Sequence, residues 1–390
     1  MNIAVINSGS SSIKFQLFCM EKKEVLAYIL VEQIGEFSSH TMLKYGDKKL
    51  EITSVLKNHH DGLEEIIFLL SKYEILQDFT SLSAIGHRVV HGGEEFKNAT
   101  VINESVIKQI EALIPLAPLH NPANLEGILV ARKKAPFVPQ IAVFDTAFHS
   151  HMPEEAYLYA LPYKMYEQYK IRRYGFHGTS HSYVLKKTAE FLKEDASDLN
   201  IITLHLGNGS SVCAIEEGVS VDTSMGFTPL EGLIMGSRCG DIDPAILIHM
   251  QRELGMSVDE VDTLLNKKSG LVGICGSNDV RSLIELNDEK SKLAIKMMVR
   301  RIKKYIGAYI ALLGEVDAIV FTGGIGENSA YIREMIFDAE ICGAVLDTAL
   351  NNKNETVIST KKSSIKLMVI KTNEEEEIAN ECLSVLKLKV

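Results

Sequence analysis

"NIAVINSGSSSIKFQLF", residues 2–18, decides how this chain is read. An apolar run ends in a glycine set among serines, and an alternating run follows. Residues 3–7 and 13–18 read as two strands joined by a tight turn. Ile13, Phe15 and Leu17 fall on one face, Lys14 and Gln16 on the other. The same grammar returns as "IITLHLGNGSSVCAI", residues 201–215. Taken alone, each glycine turn has two readings. One is a solvated hairpin of small residues. The other is a set of backbone N–H groups and hydroxyls gathered around a phosphate, with Lys14 as a point charge. Neither turn is a Walker P-loop, which needs GxxxxGK[ST] leading into a helix.

Outward from the first hairpin, a helix is expected to begin near Asp61. Asp61 and Glu64 fit a capping box ahead of "LEEIIFLL". "AIGHRVVHGG" (84–93) reads as a strand ending in a glycine turn. "IAVFDTAFH" (141–149) reads as a strand with Asp145 near its carboxyl end. In the second half, "AIKMMVRRIKKYIGAYIALLG" is an amphipathic helix with Ile295, Met298, Val299, Ile302, Ile306 and Ile310 on one face. "DAIVFTGGIGEN" is a buried strand running into a third glycine turn, and the acidic run Glu374 to Glu377 opens a final helix. Each half thus starts with a strand–turn–strand hairpin and then alternates helices and strands. That pattern suggests an internal duplication of an α/β unit. Three glycine turns, two of them on matching hairpins, with Asp279 and Arg281 nearby, favour a nucleotide site.

The composition sets the frame. The chain has 390 residues, 46% hydrophobic and 24% charged, as in ordinary globular proteins. At roughly 150 residues per domain, it should form two or three domains. A net charge of −10 argues against a nucleic-acid-binding or anionic-membrane-binding surface. It still allows an anionic substrate held by a local cluster of Arg and Lys. The six cysteines (Cys19, Cys213, Cys239, Cys275, Cys342, Cys382) show neither CxxC nor zinc spacing, as expected of reduced cytosolic thiols. No apolar stretch approaches the roughly 20 residues of a membrane helix, and no signal peptide is expected ahead of the first strand. A cytoplasmic location is expected.

Five polar clusters fall on predicted loops. They are "GHRVVHGG" (Arg88, His91), "PLAPLHNPANL" (His120, Asn121), "FDTAFH" (Asp145, His149), "YGFHGTSH" (His177, His181) and "MGSRCGDIDP" (Arg238, Asp241, Asp243). The histidines lack HExxH-type spacing, which argues against a histidine metal centre. Arg88 and Arg238, flanked by glycine turns, are suited to hold an anion bidentately. "GDIDP" reads equally well as an Asx or Pro turn.

These segments resemble the acetate kinase (acetate/propionate kinase) family. The matching pieces include "NSGSSSIKFQLF", "GHRVVHGGEEF", "PLAPLHNPANLEGI", "VFDTAFH", "YGFHGTSH", "HLGNGSSV", "DTSMGFTPLEGL", "GDIDPAI", "FTGGIGENS" and "TNEEE", in family order from residue 3 to residue 377. The family is a branch of the superfamily of acetate and sugar kinases, heat-shock chaperone ATPases and actin. The resemblance implies an α/β fold of two duplicated ribonuclease-H-like (actin-like ATPase) domains with a nucleotide cleft between them. They would span 1–150 and 151–375, with a C-terminal helix over 376–390 packing back on the first. It also implies a reversible, Mg²⁺-dependent transfer of the ATP γ-phosphoryl group to acetate, in line and direct, giving acetyl phosphate and ADP. Propionate or butyrate kinase activity is the alternative.

The resemblance also assigns residues. Mg²⁺, or Mn²⁺ in its place, falls on Asn7 and Glu374. Phosphate contacts fall on Lys14, Ser10 and Ser12. The catalytic set is Arg88, Asp145, His177 and Arg238. Arg88, Val90, Leu119, His120, Phe176 and Pro229 form the carboxylate pocket. ATP or ADP is held by His205, Leu206, Gly207, Asn208 and Gly209, by Asp279, Val280 and Arg281, and by Gly324, Ile325, Gly326, Glu327 and Asn328. A homodimer is implied, with no nucleic-acid or membrane partner. Two stretches depart from the family pattern: "MGSRCGD", with Ser237 and Cys239 where "MGTRSGD" is usual, and "GICGSNDVRS" (273–282). A non-enzymatic actin- or chaperone-like ATP-binding protein would share the hairpins but lack Arg88, His177 and Arg238 as a set.

The chemistry bears on Asp145. A simple carboxylate has a pKa of about 4 to 5 and is already ionised at neutral pH, so no general base is needed to make the nucleophile. The task is positioning and charge stabilisation. Asp145 is therefore expected to orient an arginine or a magnesium-bound water rather than to move a proton. A short apolar pocket should select acetate over longer acids, and closure of the two lobes is expected on binding.

Overall fold

The opening hairpin forms as strands β1 (Asn2–Ser8) and β2 (Ser12–Cys19), antiparallel from the Asn2–Cys19 rung to the Ser8–Ile13 rung. The computed structural model describes residues 1–118 and 120–388. It divides into two units, Met1–Phe148 with Asn373–Val390, and His149–Thr372.

In the first unit, β3 (Glu24–Glu32), β4 (Ser39–Tyr45) and β5 (Lys48–Ser54) extend the hairpin as an antiparallel meander. On the other side of β1 lie β6 (Ala84–Val89) and β8 (Gln140–Phe144), both parallel to it, with the short β7 (Thr100–Val101) at the edge. The sheet order is β5-β4-β3-β2-β1-β6-β8-β7. Ile13, Phe15 and Leu17 share one core with Leu63, Ile66, Leu69 and Leu70 of the helix His59–Lys72. The opposite face is also covered. Ile3, Val5, Phe18, Ile141 and Val143 pack against Ile378, Ala379 and Cys382 of the helix Glu374–Lys387. A parallel sheet centre buried on both faces needs apolar residues on both, which explains why β1 reads as a continuous apolar run. The terminal helix sits close to the sheet at Gly86. A Cβ there would lie 2.7 Å from both Cys382 Sγ and Ile378 Cγ2.

The second unit is built on β9 (Ile201–Leu206), β10 (Ser210–Glu216), β11 (Val219–Thr223), β12 (Ala318–Thr322) and β13 (Lys366–Val369), in the order β11-β10-β9-β12-β13. Three antiparallel strands are followed by two parallel to β9. The order and directions are those of β3-β2-β1-β6-β8 in the first unit. The helix Glu289–Leu313 is capped by Asp288, whose side chain accepts the Ser291 N–H at 2.8 Å. Ile295, Met298, Val299, Ile302, Ile306 and Ile310 are all buried, in one core with Ile202, Leu204, Ile319 and Phe321. The chain is thus α/β, with a mixed sheet at the centre of each unit.

Local details differ from the sequence expectations. The first helix starts at His59, capped by Asn58, which accepts the Asp61 N–H at 3.0 Å. Asp61 already lies inside the first turn, where its carboxylate accepts the Lys57 N–H. "GGIGEN" is a short helix, Gly323–Asn328, rather than an open turn. Its Glu327 carboxylate folds back to accept the Gly323 N–H at 2.9 Å, satisfying a donor that a helix start leaves orphaned. "HNPANL" and "FHGTSH", placed on loops, are the starts of the helices Asn121–Lys134 and Gly178–Leu192. Among the described residues no helix is long and apolar enough to cross a membrane.

Candidate active site

In the first unit the polar residues gather at the carboxyl ends of β1, β6 and β8, the usual place for ligands in α/β sheets. Arg88 projects from β6 and Asp145 follows β8 directly. Arg88 Nε lies 3.0 and 3.2 Å from the two Asp145 carboxylate oxygens, and Nη2 lies 2.7 Å from Oδ2. This bidentate fork fixes the guanidinium plane. The Asp145 backbone is pinned in turn by its N–H to the Val89 carbonyl at 3.0 Å. Arg88 Nη1 lies 3.8 Å from Glu374 Oε2. Burial works against the Arg88 charge, but Asp145, Glu374 and Glu375 outweigh it and hold the guanidinium above its ordinary value.

Lys14 stands opposite Asn7 in the β1–β2 ladder, so the two side chains share a face. Lys14 Nζ lies 2.7 Å from Oε1 of the buried Glu375. The lysine, the arginine and the two helix-start carboxylates thereby form one charge-compensated group. Ser10 is exposed and Ser12 half-buried, in a turn closed by the Gly9 N–H to the Ser12 carbonyl at 2.8 Å. Among the described residues no three His, Cys, Asp or Glu side chains cluster as a metal cage. Asn7 and Glu374 offer hard oxygen donors. That fits magnesium, which takes one or two carboxylates and completes its shell with phosphate and water.

Sequence reading missed what holds the loop after β6. Asn124, deeply buried, accepts the Val90 N–H at 3.0 Å and donates to the Ser8 carbonyl at 2.7 Å. Asn121 accepts the His91 N–H and donates to the His91 carbonyl, both at 3.1 Å. Two asparagines three apart on one helix turn were the available signal. Asn124 thereby ties the buried Val90, two residues beyond Arg88, to the end of β1, and Asn121 clamps the neighbouring His91. His120 is half-buried, and Leu119 lies outside the described residues.

The second unit carries the other set. His177 has φ 57°, the left-handed region that a non-glycine residue seldom enters. Its ring stacks on His205 with centroids 4.2 Å apart. A Cβ on Gly209 would lie 3.4 Å from His177 Nε2 and 3.6 Å from Arg238 Nη1. Both side chains therefore converge on the backbone of the β9–β10 turn. Arg238 Nη1 donates to the Pro229 carbonyl at 3.2 Å, and among the described residues no carboxylate pairs with this guanidinium. Burial alone pulls its pKa down. Phe176 is buried, and its carbonyl accepts the His149 Nε2–H at 3.0 Å.

Beside the same turn is a cavity of about 750 Å³. Its walls are Gly207 and Asn208, the segment Asp279, Val280 and Arg281, and Gly324, Ile325 and Asn328. Three glycine- or Asp-rich segments, far apart in sequence, thus meet around one space. The backbone packs tightly here, since a Cβ on Gly236 would lie 1.7 Å from Asn208 Oδ1. Five residues expected on the nucleotide do not line this cavity: His205, Leu206, Gly209, Gly326 and Glu327. Glu327 instead braces its own helix and the Thr372 N–H, at 3.0 Å. His205 Nδ1 is engaged with Ser180 Oγ at 2.7 Å. Arg281 leans on Asp279 at 3.0 Å and is largely exposed.

Residues 2–380 match the model of the acetokinase family. The chain is 60% identical to the acetate kinase of Sulfurimonas denitrificans, over 99% of this chain and 100% of that one. The crystal structure of Porphyromonas gingivalis acetate kinase superposes with a TM-score of 0.93 at 43% identity, covering 99% of both chains. A propionate kinase from Francisella tularensis gives the same TM-score and identity, covering 97% of this chain and 98% of its own. Matched in sequence and fold over nearly its whole length, the chain belongs to the acetokinase family.

Proposed function

We propose that this chain transfers the γ-phosphoryl group of ATP to acetate, giving acetyl phosphate and ADP, and catalyses the reverse. The observation that carries this reading is Arg238, a largely buried guanidinium with no carboxylate partner among the described residues, converging with His177 on Gly209. A desolvated, uncompensated cation beside a glycine turn calls for an anion.

Acetate arrives ionised, so nothing needs to deprotonate it. Arg88, its plane set by Asp145, binds the carboxylate through N–H groups that Asp145 leaves over. Asp145 is an acceptor in three short contacts and acts by orienting Arg88. The carboxylate oxygen forms the new P–O bond as the bond to the ADP oxygen breaks. His177 Nε2 and Arg238 Nη1 stabilise charge on the phosphoryl oxygens in flight. The 750 Å³ cavity is of nucleotide size and takes the nucleoside. Magnesium, held by Asn7 and Glu374, would neutralise phosphate charge. Lys14 serves the same phosphates once it leaves or shares Glu375.

The repeated strand order supports reading the two units as duplicated ribonuclease-H-like domains of the actin-like ATPase kind. A homodimer and a cytoplasmic location complete the reading, the latter supported by the scattered thiols and acidic charge. Hydroxylamine trapping decides the activity. Purified protein with ATP, Mg²⁺ and acetate should yield acetyl hydroxamate. No product across a panel of phosphoryl donors and short carboxylates would refute the assignment.

A further inference from the structure

Behind His177 runs a chain of hydrogen bonds that phosphoryl transfer as described does not use. His177 Nδ1 is 2.9 Å from Ser211 Oγ, and the same hydroxyl is 2.8 Å from His181 Nε2. His181 Nδ1 is in turn 2.7 Å from Thr203 Oγ1. Ser211, His181 and Thr203 are each 0% exposed.

Proton counting gives this chain a direction. A hydroxyl carries one proton, so Ser211 donates to one imidazole and accepts from the other. Burial, reinforced by His149 and His205, holds His181 well below the ordinary histidine range, so its ring is neutral with a single N–H. Among the described residues the one hydrogen-bond partner of the Thr203 hydroxyl is His181 Nδ1. If the chain ran the other way, the Thr203 proton would be buried without one, which is costly. The consistent arrangement runs from Thr203 O–H to His181 Nδ1, from His181 Nε2–H to Ser211 Oγ, and from Ser211 O–H to His177 Nδ1. It leaves His177 neutral with its proton on Nε2, the atom that faces Gly209 and Arg238. The charged and titratable groups around His177 agree. Arg238 converges on the same point, and the His205 ring stacks against it. A second positive charge there would be opposed.

We propose that Thr203, His181 and Ser211 are positioning residues that fix His177 as a neutral imidazole with Nε2–H aimed at the transferring phosphoryl group. Arg238 then supplies the charge and His177 a directed donor, an arrangement in which a neutral imidazole polarises an oxygen. The inference rests on the phosphoryl-transfer reading, but its first test needs no substrate. In the full chain labelled with ¹⁵N-histidine, the His177 ring should show the Nε2–H tautomer at neutral pH. Ser211→Ala should release it into a mixture with the Nδ1–H form. The same variant should lose about 10- to 100-fold in kcat, as lost orienting partners commonly do, while KM for acetate and ATP stays within about twofold. Thr203→Val, which keeps the shape and removes the hydroxyl, should shift the tautomer in the same way, and Thr203→Ser should restore it. Unchanged His177 ring signals in both Ser211→Ala and Thr203→Val would overturn the proposal, even if kcat fell, since that fall would be packing alone. A wild-type chain that formed no acetyl phosphate would sink the functional reading and leave the tautomer result to stand by itself.

Discussion

Two arginines of this molecule are kept in opposite ways. Arg88 of the first unit is locked by Asp145 and flanked by Glu374, so its charge is answered before any ligand arrives. Arg238 of the second unit is largely buried, and its hydrogen-bond partners among the described residues are a carbonyl and a thioether sulfur. A compensated arginine orients a ligand, since its plane is already set and little free energy is gained from charge alone. An uncompensated one responds to charge that develops. The pattern suits a reaction in which the acceptor needs aiming and the phosphoryl group needs stabilising.

The sharpest way to break this comparison is Arg238→Ala. It should cost about 10³-fold or more in kcat, the range seen for arginines that stabilise phosphoryl transfer. Arg238→Lys should recover little, because a point charge does not reproduce the planar fork. If the alanine variant lost affinity for acetate and kept kcat, the division of roles would be reversed. Asp145→Asn comes next. Freeing the Arg88 plane should cost about 100-fold in kcat. The pH–rate profile of the residual activity should keep its basic limb, and loss of one ionisation from it would show that Asp145 moves a proton after all.

Stability gives a third comparison, in which the units should behave alike. Burial holds His87 in the first unit and His149 in the second down at about 4. An unfolded histidine titrates near 6.5, so below that pH the unfolded chain binds more protons than the native one. The contribution of each ring is therefore complete above about 6.5 and is lost as pH falls toward 4, by up to about 3 kcal/mol per ring. Urea unfolding followed at neutral and mildly acidic pH should show both units weakening in that window. A flat stability across it would contradict the buried, neutral state of these rings. Substrate size carries the smallest effect. One methylene is worth roughly 1–3 kcal/mol in a short apolar pocket, so kcat/KM should fall from acetate to propionate to butyrate. Val90→Ala should narrow the gap between the first two, and a butyrate preference would move the chain to the runner-up activity.

Much of this was legible in the chain because its signals are short and local. Two GS-turn hairpins, an apolar stripe over Ile295 to Ile310 and the order of motifs placed both sheets and most strand-end residues. What stayed hidden is where a side chain spends its hydrogen bonds. Asp61 and Asn58 are both good caps, and only the backbone path chooses Asn58. Glu327 sits in a glycine-rich stretch that reads as ligand-facing, yet it serves the Gly323 and Thr372 N–H groups. Lys14 reads as a free phosphate contact and rests on Glu375, a residue 361 positions away in sequence (375 − 14). The meander of β4 and β5 carries no glycine-turn motif, and its edge strand offers two apolar residues, the half-buried Leu50 and Ile52, among polar ones. Partners supplied by distant segments leave no periodic trace.

The helix Glu374–Lys387 has a consequence for how the protein is made. It completes the first unit, but the ribosome delivers it only after the whole second unit. Until then Ile3, Val5 and Phe18 lack their cover, and Lys14 and Arg88 lack two of their carboxylates. Domains commonly fold in the order of synthesis. Here the half that is translated first must wait for the helix Glu374–Lys387 to emerge, and its nascent form should be the stage at which chaperone binding and aggregation concentrate.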